Sequence, residues 1–374
     1  MAKPDSALLT RKRETPLQWE ALLVVVLFLS LALGRVLSPV FLTGANLSNV
    51  LADLTEIALM ALPMTLVIVA AEIDLSVASV LGASSALMGV LWHLGLPMPV
   101  VIALVLIAGA AAGLLNGLVI VKLNLPSLAV TIGTLALFRG LAYVLLGDQA
   151  VADFPPAYTA FGMDTLGATF IPLPFAIVIA GAVLFTVLLQ STAFGRSLYA
   201  IGANPTAAAF SGIEVAKIRL RLFVLSGLMS ALAGVIYTLR FTSARGDNGE
   251  GFELSVIAAV LFGGVSIFGG RGSMIGVLLS LLIIGVLKNA SVLDEARAYL
   301  AHPVLGARLV ELTRIVNGVQ GRGVSDIFGY PDDMKFHSSM TLFAHTADDA
   351  EVFNEALRRY FEGRDDEATL SRLQ

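Results

Sequence analysis

Residues 98–121 read MPVVIALVLIAGAAAGLLNGLVIV, 24 positions without a charge. At 1.5 Å of rise per residue, about 20 apolar residues carry a helix across a hydrocarbon core ~30 Å thick. Barrel strands are shorter and alternate apolar with polar positions. A helix also closes its own backbone hydrogen bonds in lipid, which an open strand does not. The stretch is therefore a membrane-spanning helix. Gly109, Gly113 and Gly117 form a double GxxxG on one face of it, and Gly272 and Gly276 repeat the spacing later. Such spacing lets two helix backbones approach closely. Glycine is also ordinary filler in spans, so the pattern alone leaves the packing partner open.

The same reading extends along the chain. Candidate spans cover 20–38, 48–71, 75–93, 98–121, 127–146, 171–190, 220–240, 254–268 and 273–288. The eighth is short and broken by Gly263 and Gly264, so it either crosses or only dips into the bilayer. The expected fold is all-α, a polytopic transmembrane bundle of eight or nine spans. Composition agrees: 57% of residues are hydrophobic and 14% charged, against about 25% charged in a soluble domain. A mean hydropathy of +0.84 leaves more apolar surface than one core can hide.

Charge sets the orientation, because cytoplasmic loops collect Lys and Arg. Arg11, Lys12 and Arg13 precede the first apolar run, which lacks a convincing cleavage site and reads as a retained span. Counting crossings from a cytoplasmic N-terminus puts Lys122 inside. The loop 147–170, with Asp148, Asp153 and Asp164 and no Lys or Arg, falls outside. The loop 191–221 falls inside, with Arg196, Lys217, Arg219 and Arg221 against Glu214. The expected location is a bacterial inner membrane.

Charge also divides the chain. Residues 291–374 hold 14 acidic and 9 basic side chains, whereas the first 290 hold 29 charges in all. The expected domains are an N-terminal tail (1–19), a membrane body (20–290) and a soluble helical segment (291–374). That last segment is expected to form helices near 292–301, 304–319, 338–344 and 348–362. A net charge of −4 implies no nucleic-acid surface. Zero cysteines exclude disulfides and Cys-ligated zinc. The membrane body holds one histidine and offers no metal cluster; no cofactor is expected. It lacks a P-loop, a Ser-His or Cys-His pair and an HExxH. An enzyme is not expected there, and any ATP-driven motor must be another polypeptide.

Within the spans the ionisable residues are Asp53, Glu56, Glu72, Asp74 and Arg139. Charges inside a bilayer mark either function or helix ends and bends, and both readings apply here. Arg139 is expected to pair with one of the carboxylates or to snorkel. Asp74-Leu75-Ser76-Val77 is echoed by Glu253-Leu254-Ser255-Val256, at opposite faces by the crossing count, as an inverted repeat predicts. In the loop 191–221, Gly202-Ala203-Asn204-Pro205 reads as a turn opening a short helix with Pro205 at its first position. Such a helix of small residues, bordered by basic ones, has the shape to dock in a partner's groove; an ordinary interfacial loop is the other reading.

At this loop the sequence resembles the permeases of ribose-, rhamnose- and autoinducer-type ATP-binding-cassette importers, relatives of the branched-chain amino-acid permeases. Four stretches carry the likeness: Ile73–Val80, Thr131–Leu135 with Arg139–Tyr143, Gly202–Ile213, and Gly263–Ser273. They stand in the family's order and spacing over residues 20–290. The resemblance implies a membrane-spanning subunit that couples a separate cytoplasmic ATPase to translocation of a monosaccharide. A periplasmic sugar-binding protein and a second permease subunit would be its other partners. Gly202, Asn204, Pro205, Ala208, Ser211, Gly212 and Ile213 would form the ATPase-coupling loop. Asp74, Ser76, Thr131, Thr134 and Arg139 would lie toward the translocation pathway.

Family members continue past Leu287–Ala290 with a final hydrophobic helix. Here the chain passes instead into Ser291-Val292-Leu293-Asp294-Glu295-Ala296. The segment that follows resembles the C-terminal half of an uncharacterised all-helical bacterial family, through Leu293–Gly306, Asp326–Gly329 and Asp332–Phe343. Its His302, Asp332, Lys335 and His337 read as a site or, more simply, as surface polar residues. A fusion of two truncated genes near residue 290 is expected, and with it an alternative: an impaired or non-functional product. A channel or carrier working alone would more often show a relay of deep acids.

Overall fold

The computed structural model describes residues 16–147 and 149–301, with side chains for 19–147 and 149–290. Its helices are α1 (Pro16–Leu37), α2 (Gly44–Val69), α3 (Val77–His93), α4 (Met98–Leu123), α5 (Ser127–Leu146), α6 (Pro156–Met163), α7 (Leu173–Ser191), α8 (Ala193–Ala203), α9 (Pro205–Phe210), α10 (Val215–Phe241), α11 (Phe252–Phe262) and α12 (Met274–Ala301). Among the described residues β structure is limited to two isolated bridges, Val151–Ala244 and Thr165–Pro172. Six helices (α1, α2, α4, α5, α7 and α10) are long and apolar enough to cross a membrane. Three shorter apolar ones, α3, α11 and Met274–Ala290 of α12, match the remaining expected spans. The protein is an all-helical membrane bundle.

The chain forms two compact units, one of residues up to 30 with 51–285, the other of 31–50 with 286 onward. In the first, α2 is the axis: Leu59, Met60, Leu62, Met64, Leu66 and Ile68 have no exposed surface. A helix apolar all round belongs inside a bundle. The outer helices are covered far less: only 17% of the most apolar 18-residue stretch of α5 is buried within the chain. The glycine ladder of α4 finds its partner in α10. A Cβ on Gly113 would stand 2.0 Å from the Phe223 carbonyl oxygen, and one on Gly227 would stand 2.3 Å from that of Gly109. The second GxxxG differs. Gly272 precedes α12 at φ +148°, and Gly276 packs on the Gly263 carbonyl, so the two do not share a helix face.

The eighth segment reaches the far side of the bundle. The Phe262 carbonyl, at the end of α11, accepts the Trp19 indole N–H at 3.3 Å, near the start of α1. The turn beyond it meets the end of α2, where Gly270 N donates to the Val69 carbonyl at 2.8 Å. From there α12 runs back until Gly285 packs on Leu54 in the first half of α2. The segment thus runs to the end of the bundle where α1 begins and α2 ends, and α12 returns from it.

In the second unit, Phe41 folds over Gly34, and Asn46 and Asn289 exchange side-chain amide hydrogen bonds of 2.8 and 3.1 Å. The helix expected at 292–301 is not separate, because no Gly or Pro breaks the sequence between Gly285 and Pro303; α12 continues through it. The other helices expected after residue 301 lie outside the described residues.

Gly113→Val should test the α4–α10 contact. Overpacking two backbones costs about 3 kcal/mol, so a marked fall in melting temperature in detergent is expected. Gly133→Ala, where nothing stands within 4 Å, should leave it unchanged.

Candidate functional site

Helix α2 stops at Val69 and the chain enters α3 eight residues later, at Val77. Ala71 turns back at φ +63°, and Glu72, Ile73 and Asp74 lead into α3. Each exposed backbone group here must find a protein partner. Ala71 N donates to Ile68 O at 2.9 Å and Glu72 N to Val67 O at 3.0 Å. Ile73 N donates to Ser127 Oγ at 3.1 Å, and Thr131 Oγ1 donates to Ile73 O at 3.3 Å. The start of α5 thus holds the break open.

Asp74 sits inside the break, 1% exposed. One carboxylate oxygen accepts from Ser76 N at 3.0 Å and Ser76 Oγ at 2.6 Å, the other from Ser226 Oγ of α10 at 2.7 Å. Asn116 of α4 donates to Ser76 Oγ at 2.8 Å. Three segments, the break, α10 and α4, therefore meet around one buried carboxylate through neutral donors.

The loop 242–251 is the counterpart between α10 and α11, and it descends to the middle of α3. Gly249 packs on Leu81, and Asn248 donates to Ser85 Oγ at 2.8 Å. Arg139 of α5 binds its backbone, donating to Gly246 O at 2.7 Å and Asn248 O at 2.9 Å, with a longer bond to Ala78 O at 3.3 Å. Arg139 thus serves carbonyls and not the expected carboxylate. Gly82 makes room for it: a Cβ there would stand 2.5 Å from the guanidinium.

The carboxylates of α2 pair with α10 at both ends. Arg240 grips Glu56 with two bonds, 2.9 and 3.2 Å, and Asp53 with one of 2.9 Å. Glu56 is fully buried and Arg240 nearly so, at 0% and 11% side-chain exposure. At the other end Arg219 Nε lies 2.6 Å from Glu72 Oε1, an ion pair whose angle does not make a hydrogen bond.

The loop expected to dock a partner is two helices. Thr192 caps α8 by accepting from Gly195 N at 3.2 Å, and Asn204 caps α9 by accepting from Ala207 N at 3.0 Å. Pro205 takes the first helical position. Gly202 is buried where a Cβ would lie 2.0 Å from the Val69 carbonyl oxygen and 2.3 Å from Gly270 N. Ala208 is buried, and Ile213 N returns to its carbonyl at 3.1 Å across Gly212 at φ +84°. Ser211 Oγ donates to Ala207 O at 2.9 Å. Tyr199 Oη donates to Gly272 O at 2.8 Å, and burial pushes its phenol pKa up, which keeps the donor proton in place.

The expected site residues thus fall in three places. Asp74, Ser76 and Thr131 gather at the α2–α3 break; Arg139 stands at the α10–α11 loop; the docking residues gather at α8–α9. Thr134 bonds only the Thr131 carbonyl of its own helix, at 3.4 Å. Sequence reasoning missed Ser226, Asn116, Arg219 and Arg240 as partners. The basic residues of α10 lay in plain view, but nothing in a single sequence assigns them to α2.

Comparison with known proteins places these features in a family. Residues 46–317 match the family described as branched-chain amino acid transport system / permease component. Residues 288–373 match a second, described as protein of unknown function (DUF1810). The autoinducer 2 import system permease proteins LsrD of Escherichia coli (strain K12) and of Shigella flexneri are each 34% identical over 314 residues, covering 82% of this chain and 92% of theirs. No solved structure matches.

Arg240→Ala would leave Glu56 buried without a counter-charge, which costs about 3–5 kcal/mol. A large fall in melting temperature is expected, restored in part by adding Glu56→Gln. Equal melting temperatures for the single and double variants would contradict a buried pair.

Proposed function

The chain belongs to the family of branched-chain amino acid transport system permease components, and on that membership we propose that it is the membrane-spanning subunit of an ATP-driven sugar importer. Its substrate is a monosaccharide of the ribose, rhamnose or autoinducer class. The observation that carries this reading is the 34% identity, along 82% of the chain, to proteins named as permeases of an autoinducer 2 import system. The family consists of transport subunits, and the motor is a separate cytoplasmic ATPase. A periplasmic sugar-binding protein delivers substrate, and a second permease subunit completes the pathway. The protein sits in the bacterial inner membrane with its N-terminus in the cytoplasm, as the basic loops support.

In this reading α8 and α9 form the coupling element. Asn204 and Pro205 set the start of α9, while Gly202, Ala208, Ser211, Gly212 and Ile213 fix its seat. Asp74, Ser76, Thr131, Thr134 and Arg139 border the pathway at the two interrupted helices, the positions where inverted-repeat transporters place their substrates. Asp74 and Arg139 direct their hydrogen bonds to neutral protein groups, and the hydroxyls around them suit a neutral sugar that must bind weakly and leave. The buried side chains of Glu56 and Arg240 neutralise each other, which supports the same view.

A second reading rests on the DUF1810 match. The two family matches overlap over residues 288–317, and α12 carries the overlap as one helix as far as Ala301. We place the join of a gene fusion within this helix, which makes the product an impaired importer.

Vesicles holding this chain with its cassette ATPase and binding protein should take up labelled sugar only when ATP is present. Uptake without the ATPase would overturn the importer reading, and uptake equal to that of an uninterrupted permease would overturn the impaired-fusion reading. Asn204→Ala removes a helix cap of about 1 kcal/mol. It should cut sugar-stimulated ATP hydrolysis several-fold while lowering the melting temperature by only about 2 °C.

A further inference from the structure

Two phenylalanines stand out at the end of the bundle where α1 begins. Phe210, the last residue of α9, is 91% exposed, and Phe268, in the turn between α11 and α12, is 86% exposed. Single exposed apolar residues are common and need no explanation. These two belong to segments locked together. The turn's Gly270 N donates to Val69 O at 2.8 Å. A Cβ on Gly270 would stand 3.0 Å from Ala203 N, at the α8–α9 junction. Within the turn, Ser266 N donates to Arg271 O at 3.0 Å and Gly269 N to Ser266 O at 2.9 Å. Gly269 and Gly270, at φ +76° and +69°, give a reversal that other residues rarely adopt. Residues 266–272 therefore form a fixed knob beside α9 with an uncovered aromatic ring.

We propose that this knob is a second docking element for the cytoplasmic ATPase, Phe268 and Phe210 being two apolar anchors of one surface. The inference rests on the reading of α9 as the coupling element and extends it. Continuity with that element selects the occupant, because the partner that seats α9 also meets the knob fixed against its junction. Exposed Arg271 lies in the knob itself, and exposed Arg196 of α8 and Arg221 of α10 add positive charge to the elements that flank α9 in the chain, suited to an acidic partner. The knob also bears on the α2–α3 break: a Cβ on Gly269 would stand 2.7 Å from the Ala71 methyl, and Gly270 holds the last carbonyl of α2. Motion of the motor at either anchor thus arrives at the end of α2, five residues before Asp74.

The test uses the full chain in lipid nanodiscs, titrated with the cassette ATPase that copurifies with the unmodified protein. Phe268→Ala and Phe210→Ala should each weaken ATPase binding about tenfold, as loss of an interface anchor does. Phe268→Leu should keep most of the affinity. Because Phe268 is exposed, its truncation should leave the melting temperature unchanged. Tryptophan fluorescence of Phe268→Trp, with the native Trp19 and Trp92 replaced by Phe, should change on adding ATPase and resist quenching by brominated lipid. Quenching by that lipid would put the ring in the bilayer and overturn the proposal. Full affinity in Phe268→Ala beside weakened binding in Phe210→Ala would overturn the second element alone. Full affinity in both would overturn the coupling reading as well.

Discussion

Lipid offers no hydrogen-bond partner, so every interruption of a helix inside this protein must be answered from within. The structure is organised around two such interruptions, the α2–α3 break at residues 70–76 and the loop 242–251 between α10 and α11. Ser127 and Thr131 complete the backbone of the first; Arg139 binds backbone carbonyls of the second, whose Asn248 side chain donates to Ser85 Oγ. The first set of partners comes from α5 and the second from α5 and α3, which explains why those helices carry polar residues in otherwise apolar runs.

The long helices that feed the interruptions, α2 and α10, run antiparallel and are tied at each end by charge. Arg240 closes one end on Glu56 and Asp53, and Arg219 meets Glu72 at the other. Between them Ser226 of α10 reaches Asp74 at the tip of the break. Movement of α10 against α2 therefore has a direct line to the polar centre of the bundle. On the face where α2 ends, Gly202 and Gly270 pinch the Val69 carbonyl from two sides, so the α8–α9 pair sits against the same helix. The α8–α9 pair, the end of α2 and the buried carboxylate of Asp74 thus pack in one line.

Much of this was legible in the sequence. Long uncharged runs fixed the spans, and the GxxxG of α4 announced a close contact, although only the fold names α10 as the other side. Asn204-Pro205 announced a capped helix, which is local chemistry and reads directly. The Asp74 and Glu253 echoes precede or open short helices after long ones, α3 after α2 and α11 after α10. Tertiary pairings were not legible. Arg139 looks like a partner for an acid, yet the backbone oxygens of the 242–251 loop claim it, because a re-entrant chain leaves carbonyls that no pattern of side chains reveals. The second GxxxG failed for a related reason: Gly272 serves a turn, where glycine is needed for its φ and not its size. The reach of α11 was open because 11 helical residues are too few to span, and the glycine turn supplies the rest.

The central claim is that α9 and the loop 147–170 lie on opposite sides of one bilayer, α9 facing the motor. The chain has no cysteine, so single reporters are unambiguous. Ala209→Cys in α9 and Ala168→Cys in the loop can each be treated with a membrane-impermeant maleimide in intact cells with a permeabilised outer membrane. The account predicts labelling of Ala168→Cys at once and of Ala209→Cys only after the inner membrane is opened. Labelling of Ala209→Cys in sealed cells would contradict it.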